Sequence, residues 1–136
     1  MTPLVPPFIQ HVIEQKAGRL GYIPTRAGLG WRYMSYSWNA QTKQLTVRVH
    51  DKHYKLSNAN HTVAITAEYF GGTLATCGDG NEKSYQVDGN KVWSSGDNLA
   101  WRCVKGAQGR IVKILASGKG QPAVGLAIIA ASVKRI

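Results

Sequence analysis

A chain of 136 residues is long enough to bury a real core as one domain without metal ligation, and 43% of its residues are hydrophobic. Charged residues make up only 18%, yet 17 Lys and Arg face 7 Asp and Glu, a formal net charge of +10. No run of ~18 apolar residues offers a membrane span, and the charge balance favours anionic partners: nucleic acid, acidic glycans or an anionic surface. The cations are scattered singly, Lys134-Arg135 and Lys52/Lys55 apart, so an ordinary solvated basic exterior is the plainer account of the excess.

The opening MTPLVPP is extended, because prolines at 3, 6 and 7 disfavour helix before Pro7. From Pro7 the spacing of Phe8, Ile9, Val12 and Ile13 predicts a short amphipathic helix that Gly18 caps. GYIPTRAGLG follows as an irregular lead-in. Residues 31–38, WRYMSYSW, read as a strand with Trp31, Tyr33, Ser35 and Ser37 on one face and Arg32, Met34, Tyr36 and Trp38 on the other. NAQTK then resembles a hairpin loop into Gln44 to His50, where Leu45, Val47 and Val49 alternate with polar residues. A polar excursion, DKHYKLSNANH, leads to a third strand from Thr62 to Phe70, with Val63, Ile65, Ala67 and Tyr69 inward.

Gly71-Gly72 interrupts the meander, and CGDGNEK turns the chain again. Ser84 to Val87 and Lys91 to Ser94 read as a hairpin across Asp88-Gly89-Asn90, and SGDN at 95–98 as a further turn. Leu99, Trp101 and Cys103 alternate with Ala100, Arg102 and Val104 before Gly106 to Gly109 and a last strand from Arg110 to Ala116. After SGKGQ the period becomes helical from Pro122, with Val124, Ala127, Ile128 and Ala131 along one stripe.

The two cysteines suit a structural bridge: Cys77 lies at a strand end and Cys103 mid-strand beside Trp101. Such a bridge would be worth about 3.5 kcal/mol on chain-entropy arguments and would imply an oxidising compartment. Two separate buried thiols are the alternative. Neither cysteine belongs to a C-x-x-C pair, so zinc and thioredoxin-like chemistry lack support, and no cofactor motif is present. The first residues have neither the basic nor the apolar part of a signal peptide. Either the protein stays inside the cell or the chain is a mature fragment carrying an added Met, and the cysteine pair favours the second.

Three histidines, His50, His53 and His61, crowd one region around Asp51. On a continuous strand His50 and His53 point to opposite faces, so they converge only where the chain bends after Asp51. Asp51 with His53 could serve as a general acid or base, while a polar inter-strand loop accounts for the same residues without chemistry. G-x-S-x-G is absent, and neither GLG nor GDGNEK joins a strand to a helix as a phosphate loop does. WRYMSYSW and WRC interleave rings with cations as single-strand nucleic-acid platforms do, although sheet packing explains such pairs equally.

Tyr22 and Pro24, the strand start Gly30-Trp31-Arg32-Tyr33, the GNKVW strand, Trp101, and a last helix with Ala131, Ser132 and Lys134 give an order of features over residues 22–136. That order resembles uncharacterised secreted bacterial proteins with a cysteine pair. It also resembles a domain of unknown function from extracytoplasmic parts of anti-sigma factors and lipoproteins, with a lipoprotein-carrier or PsbP-like sheet. The chain departs where Gly28-Leu29 precede Gly30-Trp31 in place of Leu-Pro before Gly-Tyr. The resemblance implies a binding or sensing module and carries over no catalytic residue.

The expected fold is α+β, a curved, mainly antiparallel sheet of six to eight strands with an N-terminal and a C-terminal helix. Residues 1–21 form an extended arm and short helix, and 22–136 a single sheet domain. The helices run from about Pro7 to Ala17 and Pro122 to Lys134, with Ile128 set against Val47, Ile65 and Trp101. The expected function is non-catalytic, secreted or cell-envelope binding of an envelope ligand or protein in the sheet's concavity, through Arg32, Tyr36, Arg48, Trp101 and Arg102. Alternatives are a polyanion binder, for nucleic acid or acidic glycan, and a small hydrolase using the His50 to His61 region.

Overall fold

The computed structural model describes residues 3–55, 59–78, 82–96 and 98–136. Pro7, whose missing N–H would have no helical partner in any case, opens α1 (Pro7–Ala17). Gly18 closes it at φ 55°, and its N–H donates to Glu14 O. Ile13 and Ala17 are buried, with Ile9 and Val12 half-buried beside them. Phe8, expected on that stripe, is 74% exposed. At ~100° per residue it stands ~140° around the helix from Ile13.

A 3-10 turn, Gly18–Leu20, brings the chain to β1 (Tyr22–Ile23). Seven strands then follow: β2 (Arg32–Asn39), β3 (Gln44–His50), β4 (Thr62–Phe70), β5 (Lys83–Val87), β6 (Asn90–Ser94), β7 (Leu99–Lys105) and β8 (Ile111–Ser117). They form one antiparallel sheet in the order β2-β3-β4-β8-β7-β6-β5. After α2 (Ala123–Ala131), β9 (Lys134–Arg135) pairs with β1 as a separate ribbon. The architecture is α+β with a helix at each end, as expected. The β5–β6 hairpin turns on Asp88 and Gly89 at φ 50° and 80°, the left-handed pair that matches strand twist. Within the expected GDGNEK and SGDN turns, residues 79–81 and 97 lie outside the described residues, as do 56–58 of the polar excursion.

One face of the sheet, the inner face, carries the core. Leu45, Val47 and Val49 of β3, Val63, Ile65 and Ala67 of β4, and Val112, Ile114 and Ala116 of β8 are at most 1% exposed. They form one cluster with Val5, Ile13, Ala17 and Leu20 from the N-terminal arm and with Leu126, Ala127, Ile129 and Ala130 of α2. Full burial of each Leu, Ile or Val contributes about 1.5–3 kcal/mol. α1 and the turn after it lie over β2 and β4, whereas α2 lies over β5 to β8.

Four expectations need correction. The simple alternation along β2 fails because the pairing slips between Tyr33 and Ser35, a bulge at Met34. Tyr33 opposes Val49, Tyr36 opposes Val47 and Trp38 opposes Leu45, so these three aromatics share the inner face. Helix α2 ends at Ala131, not Lys134, because Lys134 and Arg135 leave to pair with Ile23 and Tyr22. Its buried face is also different: Val124 is 53% exposed and Ile128 half-exposed, while Leu126, Ala127 and Ile129 to Ala131 are buried. A helix reading AVGLAIIAA is apolar all round, so periodicity cannot select its core face. Nor does Ile128 meet Trp101, whose position on β7 puts it on the opposite side of the sheet from α2.

Candidate binding surface

The outer face, opposite the helices, is where the strands present polar and aromatic side chains. Ladder pairing draws one continuous row across all seven strands: Ser37, Thr46, Thr66, Leu115, Trp101, Trp93 and Ser84. A parallel row holds Asn39, Gln44, Glu68, Lys113 and Cys103, and a third Ser35, Arg48, Ala64, Ser117 and Leu99. Threonine hydroxyls of the first row meet at 3.3 Å, Thr46 Oγ1 to Thr66 Oγ1, and Gln44 Nε2 donates to Glu68 Oε2 at 2.9 Å. These pairs hold the β3–β4 side chains upright against one another.

The β7 end of this face is closed. A capped 3-10 turn, Leu74–Thr76, places Cys77 over β7, where the disulfide to Cys103 spans 6.0 Å between Cα atoms. Trp101 is sealed beneath, 6% exposed, and its Nε1 donates to Cys77 O at 2.8 Å. Beside this plug Lys113 Nζ lies 5.6 Å from the Trp101 ring and 5.9 Å from Phe70, and Lys91 Nζ lies 5.4 Å from Trp93.

The β2–β3 end is open. A shallow trough of about 490 Å³ is lined by Ser37, Trp38, Asn39, Ala40, Gln44, Thr46 and Arg48. Two hydroxyls, two side-chain amides and an exposed guanidinium converge there, a donor-rich lining for a polar or anionic ligand; Trp38 borders it from β2 while its ring belongs to the inner face. Strand positions on this face carry Arg32, Arg48, Lys91, Lys105 and Lys113 against Glu68.

The residues expected to bind ligand are distributed over both faces. Arg48 lies in the trough, and Arg32, two pairs along on the same side, is exposed, with Nη1 donating to Trp31 O at 2.9 Å. Tyr36 belongs to the inner face beside Tyr33, whose phenol is pushed up by burial and by Tyr36. Trp101 lies under the plug. Arg102 points inward beneath the C-terminus of α2: Nε donates to Ala130 O at 2.9 Å, Nη2 to Val133 O at 2.7 Å and Nη1 to Asn90 Oδ1 at 3.1 Å. It adds a donor to Ala130 O, which the Val133 amide also reaches at 3.3 Å, and satisfies Val133 O, with its charge at the negative end of the helix dipole. Burial pulls its pKa down, opposed by Tyr22. The trough residues Ser37, Asn39, Gln44 and Thr46 were not singled out from sequence; the polar members of the strand alternation were their only signal.

In the histidine region the chain does bend after Asp51. Asp51 Oδ1 accepts from the His53 amide at 2.8 Å, and Oδ2 accepts from His61 Nδ1 at 2.8 Å. The His53 and His61 rings stand 5.8 Å apart, and the His50 ring lies 5.2 Å from that of Tyr54, tilted by 38°. Desolvation pushes Asp51 upward, but the bonds from His61 and the His53 amide and the nearby imidazoles outweigh it and hold the carboxyl below its usual value. Asp51 thus orients His61 as a second carboxylate–imidazole pair would in a general base. Among the described residues no group of three or more His, Cys, Asp or Glu side chains is placed to hold a metal ion.

The chain matches no protein-family model, no curated protein and no solved structure. No helix among the described residues is long and apolar enough to cross a membrane.

Proposed function

We propose that this protein is a non-catalytic extracytoplasmic binding module whose ligand lies on the outer face of the sheet, in the trough between β2 and β3. The observation that carries this is the lining of that trough, where Ser37, Asn39, Gln44 and Thr46 surround Arg48 with no helix over them. The Cys77–Cys103 bridge is compatible with an oxidising compartment, as is the resemblance to secreted envelope proteins.

The excess of cations on the same face favours an acidic glycan as the ligand class. Sugar hydroxyls suit the amides and hydroxyls of the lining, and acid groups suit Arg48. The test is calorimetric titration with an acidic oligosaccharide, its neutral counterpart and single-stranded DNA, over a salt series. Binding of the acidic oligosaccharide alone, lost in Arg48→Ala and Gln44→Ala, supports the assignment. Binding of DNA with a steep salt slope, shared by several Lys variants, transfers the surface to nucleic acid. Binding of none of the three removes the polyanion assignment.

A further inference from the structure

A second surface lies away from the sheet, in the loop between β1 and β2. Its root is fixed to the body of the protein. The amides of Thr25 and Arg26 donate to Ser132 Oγ at 3.3 and 3.1 Å, and Thr25 Oγ1 donates to Ser132 O at 2.7 Å. The Ser132 hydroxyl proton goes to Arg26 O at 2.9 Å or Ile129 O at 2.7 Å. From this anchor the chain runs out to Leu29 and back.

Two glycines at left-handed φ make the tip, Gly28 at 99° and Gly30 at 83°, and Trp31 N donates back to Gly28 O at 3.4 Å. Between them Leu29 is 103% exposed, the most exposed large apolar side chain among the described residues. Around it an open groove of about 660 Å³ is lined by Pro3, Leu4, Ala27 and Trp31 on its apolar side and by Arg26 and Arg32 on its polar side. The stem of Lys52 also reaches the tip, with side-chain carbons 3.8 Å from where a Gly30 Cβ would stand. Among the described residues the Arg26 guanidinium is paired with Asp88, at 3.5 Å with both side chains mostly exposed, so exchanging that partner for another anion costs little.

A lone exposed leucine is ordinary on a protein surface. A leucine carried on a glycine-hinged tip, with an indole and two guanidinium groups lining the same groove, combines the chemistries of a bilayer surface: hydrocarbon for the acyl boundary, an interfacial ring, and cations for the headgroups. We infer that this loop is an anchor for an anionic lipid surface, in which Leu29 enters the acyl boundary while Arg26 and Arg32 hold lipid phosphates. The occupant is a bilayer: a soluble anion would use the arginines and leave Leu29 in water, whereas a neutral apolar partner would leave the arginines idle. The anchor would also orient the trough, since the loop is clamped through Ser132 to the helix that backs the sheet.

The experiment is sedimentation with vesicles of phosphatidylcholine alone and with about 30 mol % phosphatidylglycerol, together with quenching of tryptophan fluorescence by brominated lipid. The wild-type chain is expected to bind anionic vesicles and to be quenched by bromines near the headgroup. Leu29→Ser is expected to weaken partitioning roughly tenfold, and Arg26→Ala/Arg32→Ala to lose the preference for anionic lipid. Lys83→Ala/Lys119→Ala removes the same charge elsewhere and is expected to bind as the wild type does. Leu29 makes no buried contact to lose, so an unchanged melting curve separates the effect from misfolding. Failure of the wild type to bind, wild-type binding by Leu29→Ser, an equal loss in the Lys83/Lys119 variant, or displacement by millimolar free phosphate overturns the inference.

Discussion

Trp101 Nε1 donates to the carbonyl oxygen of Cys77 at 2.8 Å, so the indole that the disulfide plug buries also hydrogen-bonds the backbone of that plug. Ring and bridge therefore hold one segment to one strand by two separate means. Trp101→Phe keeps the apolar ring but leaves the Cys77 carbonyl without its donor, and is expected to cost about 1–2 kcal/mol in urea unfolding.

The bridge closes 26 residues of sequence, and its loss acts mainly on the unfolded chain. Cys77→Ser/Cys103→Ser is expected to lower stability by about 3.5 kcal/mol and the melting temperature by roughly 10 °C. Intact mass after thiol blocking at lysis reads whether the pair is already oxidised in the cell. Oxidised cysteines agree with an extracytoplasmic site of action, and free thiols contradict it.

Arg102 reaches the C-terminus of α2 from the sheet beneath it, with all three guanidinium nitrogens donating. Arg102→Met fills a similar space but takes the donor from the Val133 carbonyl and leaves Ala130 O with the Val133 amide, with an expected loss of about 1–3 kcal/mol. Arg102→Lys keeps the charge with a single nitrogen and should fall between the two, as chemical denaturation would record.

Asp51 titrates below its usual 3.8 in the folded state. A carboxyl depressed by folding contributes stability above its unfolded pKa and loses that contribution as pH falls through the folded one. The wild type is therefore expected to exceed Asp51→Asn in stability at pH 6, and the gap to narrow as pH drops below 3.8. Urea midpoints of both proteins across that range check the sign.

Gly118 marks the end of β8 against the start of β4, and an added Cβ would stand 2.7 Å from the Thr62 carbonyl oxygen. Backbone cannot step aside as a flexible side chain can, so Gly118→Ala is expected to cost about 1–3 kcal/mol. Gly71→Ala meets nothing within 4 Å and serves as the matched control, with no loss in melting temperature expected.

Periodicity and punctuation alone were enough for much of this fold. Helix Pro7–Ala17, strands Gln44–His50 and Thr62–Phe70, and the turn at Asp88-Gly89 are all legible because each depends on residues within a few positions: a proline at the start, a glycine at the end, a strict two-residue alternation. The pairing of Cys77 with Cys103 was legible because the chain has only two cysteines. Local pattern could not reveal what distant partners impose. The bulge at Met34 exists because β2 must bring Tyr33, Tyr36 and Trp38 onto the core face of β3, and that register belongs to the pair of strands. α2 is apolar on every side, so only the strands beneath it choose Leu126 and Ile129 over Val124. Arg102, expected at a ligand, sits at a helix end because alternation puts it inward and the fold lays the α2 terminus there. The anchored tip at Leu29 likewise depends on tertiary placement, since it brings residues 3 and 4 beside 25–32, and the trough around Arg48, though built on one hairpin, is open only because the helices cover the other face. Sequence determined the elements, because hydrogen bonding and burial along one strand or helix are local. Tertiary structure decided faces, caps and surfaces, because these are relations between elements.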